Sequence, residues 1–427
     1  MTPSGTTTTD TSGISPSAGS SVAVAAVISG VSGFVVQLLA ARQLSAAENA
    51  RFLVFWSALF GVFGVLGGLQ NEATRGVSAQ RGASHFITKR PRAVLTGALL
   101  GLITGVVLAL TSPLWAYRVL GPANSWFSTC LLSLGAALFA GHLSLAGTLA
   151  GLGRWSRYSL LISLEALVRL GLTFGVALTV ADRPSFEAAA VASTASWLAL
   201  VLLSREVRAA LKASVDRSVR SYLVSVGQTV MASTATAALV TGFPVLVALT
   251  TPPDVVETAA PLLLSLSLTR ATLLFPVTAF QGMTIAYIVS KPESATRVLI
   301  RVGSALAALA VVGAGLAYLL GPWALRLVNR EYFMSGAVLA GLMLAAGTIT
   351  GLVFTGSAAL ALGQHRGYLA GWWLALGLSI GLLLLPVGLE QRVLVSLLAG
   401  PIVGCAVEVR TAFRAAQKQR PGPQSLG

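Results

Sequence analysis

Stretches of about 20 mainly apolar residues follow one another along the whole chain, separated by short polar segments, and only a bilayer accommodates such a pattern. Twelve are read: 18–41, 52–70, 93–116, 126–152, 159–180, 187–203, 222–249, 261–290, 298–320, 335–362, 369–388 and 393–408. Only 10% of the 427 residues are charged, too few to cover a water-facing surface. Soluble enzymes and nucleic-acid-binding domains are excluded on that ground, although the net charge is +15. The fold class expected is an all-α polytopic membrane protein of about 12 transmembrane helices.

The positive charges orient these helices. With both termini placed in the cytoplasm, 20 Lys and Arg fall in cytoplasmic segments, seven in outer loops and two, Arg169 and Arg270, within spans. This bias follows the positive-inside rule. Residues 1–17 are Thr/Ser/Gly/Pro-rich and read as a disordered cytoplasmic tail; without a basic leader region they are not a signal peptide. Residues 18–203 then form an N-lobe, 204–221 a basic cytoplasmic linker, 222–408 a C-lobe and 409–427 a basic cytoplasmic tail.

The two lobes carry an internal repeat. Val31-Ser32-Gly33-Phe34 recurs as Val240-Thr241-Gly242-Phe243, and Ala46-Ala47-Glu48-Asn49-Ala50 as Val255-Val256-Glu257-Thr258-Ala259, both 209 positions later. Gln70 matches Gln281, 211 later, and Leu152-Gly153-Arg154 through Tyr158 matches Leu362-Gly363-Gln364 through Tyr368, 210 later. An offset of six helices gives both copies the same orientation, hence a parallel repeat about an axis along the membrane normal. Transporters built this way hold their site where the repeats meet.

Ionisable groups at membrane depth are costly and face a cavity or a partner. Arg270 has no acid three or four positions away on its helix, which suits a water-filled cavity or an anionic ligand; the alternatives are outward snorkelling or an acid on another helix. Glu165 and Arg169, four apart, share a helical face. They read either as a self-satisfied pair that locks packing or as a cavity pair, with Glu165 a proton-coupling group and Arg169 an anion contact. Glu165 is the only deep acid on these span boundaries. Arg75 is either interfacial, paired with Glu72, or a cavity residue. Gln37, Gln228 and Gln281 line a cavity or hydrogen-bond between helices. Arg42 and Arg51 read as simple anchors flanking the first outer turn. Pro244 and Pro276 are candidate helix breaks. No cofactor is implied: Cys130 and Cys405 sit singly in apolar runs, and His85, His142 and His365 lack a zinc-binding spacing. No outer loop has room for a catalytic domain and no phosphate-binding loop is present, so an enzyme is not expected.

Leu38-Leu39-Ala40-Ala41-Arg42-Gln43-Leu44-Ser45-Ala46-Ala47-Glu48, Gly67-Gly68-Leu69-Gln70-Asn71-Glu72-Ala73-Thr74-Arg75 and the Leu152–Tyr158 element resemble the multidrug/oligosaccharidyl-lipid/polysaccharide (MOP) flippase superfamily, in particular bacterial polysaccharide flippases of the Wzx type. The resemblance implies a flippase of the bacterial cytoplasmic membrane. Such a protein turns a polyprenyl-(pyro)phosphate-linked sugar from the inner to the outer leaflet for envelope polysaccharide assembly, beside other assembly proteins. Basic cavity residues are a theme of that group, and Arg270 and Arg75 suit it best. Two further C-terminal helices, expected of lipid II flippases, are not found. The remaining readings are a cation- or proton-coupled drug or metabolite antiporter of the same superfamily, and a non-transporting scaffold for wall synthesis.

Overall fold

The computed structural model describes residues 16–81, 90–123, 125–290 and 295–418; side chains are described for these except at 16–18, 275–287, 289–290, 295 and 416–418. Nearly all of it is helix. The first half comprises α1 (Pro16–Gln43), α2 (Ala46–Arg81), α3 (Ala93–Leu120), α4 (Ser125–Gly151), α5 (Trp155–Thr179) and a sixth span split into α6 (Arg183–Ala192) and α7 (Ser196–Leu203) by a 3-10 turn. A short helix, α8 (Arg205–Ala210), leads into the second half. There α9 (Val219–Val240) and α10 (Phe243–Thr250) make one broken span, α11 (Pro253–Glu257) is a loop helix, and α12 (Ala260–Ser290), α13 (Ala295–Val328), α14 (Gly336–Ala361), α15 (His365–Leu383) and α16 (Leu389–Lys418) follow. Ten spans of the described residues are long and apolar enough to cross a membrane, and α12 and α15 complete the twelve read from the sequence. The chain is an all-α polytopic membrane protein of two lobes.

Two boundaries differ from the sequence reading. The last span was expected to end at 408; α16 instead continues to Lys418, so much of the expected tail is helix. Arg410, Arg414 and Lys418 interrupt the apolar run without breaking the helix, because all three are good helix formers. The span expected at 52–70 likewise extends to Ala46–Arg81. Ser45 starts it with a capping box, its Oγ and backbone N–H both donating to the Glu48 carboxylate. Of the two proline breaks expected, α12 runs as one helix past Pro276, whereas Pro244 separates α9 from α10.

The repeat is visible in the backbone. Gly153 and Gly363, 210 apart, end α4 and α14 in the left-handed region at φ +72° and +73°. Arg154 and Gln364, which follow, have φ/ψ of −86°/60° and −88°/56°. Their N–H groups reach back five residues to Leu149 and Ala359, each at 2.8 Å. Within each half the fourth span packs on the second and third, as α4 does on α2 and α3, and α14 on α12 and α13.

One end of the molecule, here the near end, carries the start of α1, the Gly153 and Gly363 turns and α8. At the opposite, far end the halves are tied together. Arg51 donates to Glu257 at 3.0 Å and to the Pro253 carbonyl at 2.7 Å; Asn49 donates to the Tyr332 hydroxyl at 2.7 Å, and Asn329 to the Ala41 carbonyl at 2.9 Å. Arg51 is therefore more than the anchor expected of it: its guanidinium is buried in the junction. Along one flank α2 and α9 pack closely. A Cβ on Gly68 would fall 2.6 Å from the Val230 backbone nitrogen, so only glycine permits this approach.

Candidate functional site

The proline break sets up the site. Pro244 has no N–H, so the Val240 carbonyl four residues earlier lacks its helical partner. Arg270 of α12 supplies one, Nη1 donating to Val240 O at 3.0 Å. The guanidinium also lies 5.1 Å from the centre of the Phe243 ring, just beyond the break. Its Nε and Nη2 are buried with no hydrogen-bond partner, and no acid pairs with it among the described residues. The Thr241 carbonyl in the same break accepts from Ser57 Oγ at 2.6 Å. The interruption thus places the polar wall of the second half against α2 of the first.

Across from it, Arg169 of α5 donates Nη1 to Glu165 Oε1 at 2.6 Å and Nη2 to the Ser29 carbonyl at 3.3 Å. Its guanidinium faces Phe60 at 5.3 Å and Trp56 at 5.9 Å, and its Nε is unpartnered. Glu165 also accepts from Ser193 Oγ at 3.0 Å, in the turn that splits the sixth span. Both arginines lie ten residues from the far ends of their helices, hence at a common depth of about 15 Å at the helical rise per residue.

A cavity of about 710 Å³ lies between the halves, and Arg169 and Arg270 both line it. Its remaining wall is largely apolar and aromatic: Trp56, Phe60, Tyr368 and Trp372, with Gln37, Ser29, Ser57 and Thr236 as polar points. No described lining residue is acidic. It extends along α1 from Gln37, six residues from the far end, to Ala26, and to Leu360 and Tyr368 toward the near end. Glu165 is buried behind Arg169 rather than in the lining.

The other sequence candidates fall as follows. Gln37 lines the cavity, its amide nitrogen donating to Gly33 O at 3.4 Å and its Oε1 unpartnered. Arg75 stands apart at the near end, bonded to Glu72 and, at 3.3 Å, to Asp216 in the linker between α8 and α9, a pairing made because α2 continues past residue 70. The side chain of Gln281 lies outside the described residues. Glu165 is not the only deep acid: Glu408 is fully buried once α16 is seen to continue, and Glu187 is buried against Ser128 and Arg183. The far-end ties through Asn49, Arg51, Asn329 and Tyr332 had no sequence signal, since they join segments more than 200 residues apart. Among the described residues no cluster of His, Cys, Asp or Glu could hold a metal.

The same arrangement of helices is found in solved structures. An inward-facing multidrug resistance MATE family transporter of the MOP superfamily aligns with TM-score 0.69 over 92% of this chain and 96% of its own, at 15% identity. The outward-facing form of a transporter of that description aligns at 0.63, over 94% and 96%, also at 15% identity. The MATE multidrug transporter DinF-BH aligns at 0.62 over 96% and 98%, at 13% identity. The fold is that of the MATE transporters of the MOP superfamily.

No protein-family profile matches the chain. It is 36% identical to the uncharacterized protein Rv3630 of Mycobacterium tuberculosis, over 91% of this chain and 90% of that protein. It is 35% identical to the uncharacterized protein Rv1510 of the same species, over 97% and 96%. The chain belongs to the same family as these mycobacterial proteins.

Proposed function

We propose that the protein is an alternating-access lipid flippase that carries a polyprenyl-(pyro)phosphate-linked sugar across the cytoplasmic membrane, from the inner to the outer leaflet, for envelope polysaccharide assembly. The observation that carries this reading is Arg270, buried on the cavity wall with two guanidinium nitrogens unpartnered and no counter-charge among the described residues. Such a charge costs several kcal/mol and is retained where a ligand neutralises it. A phosphate suits it, because a planar guanidinium engages phosphate oxygens through two parallel hydrogen bonds. Arg169 at the same depth supplies a second positive charge. Trp56, Phe60 and Trp372 give the cavity an apolar, aromatic wall, and Gln37, Ser29 and Thr236 offer hydrogen-bond partners to sugar hydroxyls. The near end, which carries the excess of Lys and Arg, is cytoplasmic in this reading, with both termini there. The far-end ties then hold the molecule open toward the inner leaflet. The six-helix halves are the moving bodies, and the protein is a carrier rather than an enzyme.

Arg270→Ala and Arg270→Lys test this in proteoliposomes, with flipping of a fluorescent short-chain prenyl-phosphate as the readout. Losing a charge-assisted contact of about 1.5–3 kcal/mol predicts a roughly 10- to 100-fold slower rate for Arg270→Ala, with partial recovery in Arg270→Lys. An undiminished rate in Arg270→Ala would overturn the assignment. The antiporter reading draws on the multidrug transporters that share the fold. A cationic drug, however, would meet two arginines and no acid in the described lining.

A further inference from the structure

Glu408 is an acid that the cavity does not use. It lies on α16, about 28 Å from the far end at the helical rise per residue, and is fully buried against α14 and α15. Its Oε2 accepts from Thr355 Oγ1 at 2.6 Å, and its Oε1 has no partner. No cation among the described residues bonds to it. Toward it α14 presents Thr355 and Gly356, and α15 presents Tyr368 and Gly371. Its own helix brings Cys405, close enough to interact electrostatically. The basic residues toward the near ends of these helices, Arg410 and Arg414 of α16, Arg366 of α15 and Arg297 and Arg301 of α13, are all exposed. An ionised carboxylate in so dry a place, without a counter-ion, costs several kcal/mol. A proton removes that cost, and a metal ion would need more oxygens than Thr355 and the carboxyl group provide.

The packing ties this carboxyl to the cavity. A Cβ on Gly371 would fall 2.6 Å from Glu408 Cγ, and one on Gly356 would fall 3.0 Å from both Glu408 Oε1 and the Tyr368 ring. The three helices therefore approach too closely to admit water beside Oε1. Tyr368 is itself a wall of the central cavity, and its hydroxyl lies 3.4 Å from Thr236 of α9. On the other side, Thr355, Cys405 and Val409 line an apolar groove of about 590 Å³ between α13, α14 and α16.

We propose that Glu408 is a proton-binding site whose loading couples a proton gradient to the cavity through the α14–α15–α16 seam and Tyr368. This rests on the transport reading above. With the proton bound, the seam closes dry. When the carboxyl O–H breaks, the proton passes to water at the near end, and the carboxylate left behind draws water into the seam, parting α15 from α16 and moving Tyr368.

Two measurements on the full chain in proteoliposomes test this. Infrared spectra at neutral pH should show a protonated-carboxyl C=O band that Glu408→Gln removes. An imposed pH gradient should accelerate prenyl-phosphate flipping by the wild type but not by Glu408→Gln, whose rate without a gradient stays within about twofold of wild type. A band unaffected by Glu408→Gln, a mutant that keeps the full gradient response, or a response to sodium in place of protons would overturn the proposal. If Glu408→Gln fails to insert, Thr355→Val should shift the band by removing its hydrogen-bond donor, and an unshifted band would overturn it too. A Glu408-dependent band in a protein that flips no prenyl-phosphate would sink the transport reading and leave the proton site standing.

Discussion

Val31-Ser32-Gly33-Phe34-Val35 in α1 and Val240-Thr241-Gly242-Phe243-Pro244 in the broken span occupy matching places in the repeat, yet one is continuous helix and the other is not. Proline in place of valine accounts for the difference: it removes one N–H and strands one carbonyl. The unbroken copy turns inward on its own half, Ser32 donating to Ala166 O of α5 at 2.8 Å. The broken copy turns across the interface, holding Ser57 of the first half and Arg270 of the second. Two equivalent segments thus became a structural strut and a cavity-facing elbow, and the elbow is where the helix no longer satisfies its own backbone.

Swapping the two characters tests that lesson. Val35→Pro, which installs the elbow in α1, should cost about 3 kcal/mol or more in a helix interior, read as a large fall in melting temperature in detergent. Pro244→Ala, which allows the second copy to straighten, should swing the Val240 carbonyl away from Arg270. With a charge-assisted hydrogen bond worth about 2 kcal/mol at stake, flipping should slow about 30-fold, while the melting temperature does not fall. Equal losses of stability in the two mutants would show that proline is not what distinguishes the copies. Where the repeat is exact in backbone, the two copies should respond alike: Gly153→Ala and Gly363→Ala each force alanine into a left-handed conformation and should each cost about 1 kcal/mol in thermal unfolding. The smallest effect is expected at the far end. Glu257→Gln removes only the charge from its tie to Arg51, and Glu257 is 41% exposed, so the change costs less than about 1 kcal/mol. That change should raise labelling of a cysteine introduced in the cavity from the outer side by a fewfold.

Most of the architecture was legible before any coordinates, because bilayer thickness translates directly into apolar run length. The helix ends were less so. Arg410 and Glu408 look like the close of a span when hydropathy alone is counted, and that cut concealed Glu408. Arg169 and Arg270 stood out because a charge inside an apolar run has few explanations. Arg75 had the same polar look, and its pairing with Glu72 three positions earlier was legible, whereas its second partner, Asp216, lies 141 residues away. Glu165 and Arg169 share a helix, and their spacing announced their contact. The cavity's aromatic wall gave no local signal, since Trp56 and Phe60 are ordinary membrane residues until Trp372 and Tyr368 face them from the other half.

The two arginines sit level in the membrane, yet they are not copies of each other. The residue 210 positions beyond Arg169 is Ser379, which donates to the Ser396 carbonyl, and the residue 210 before Arg270 is Phe60. A duplicated frame therefore encloses an unduplicated pocket. Under the flippase reading proposed above, a guest with a charged head and a bulky appendage would meet different walls on its two sides, so the pocket itself would favour one way round before any motion begins.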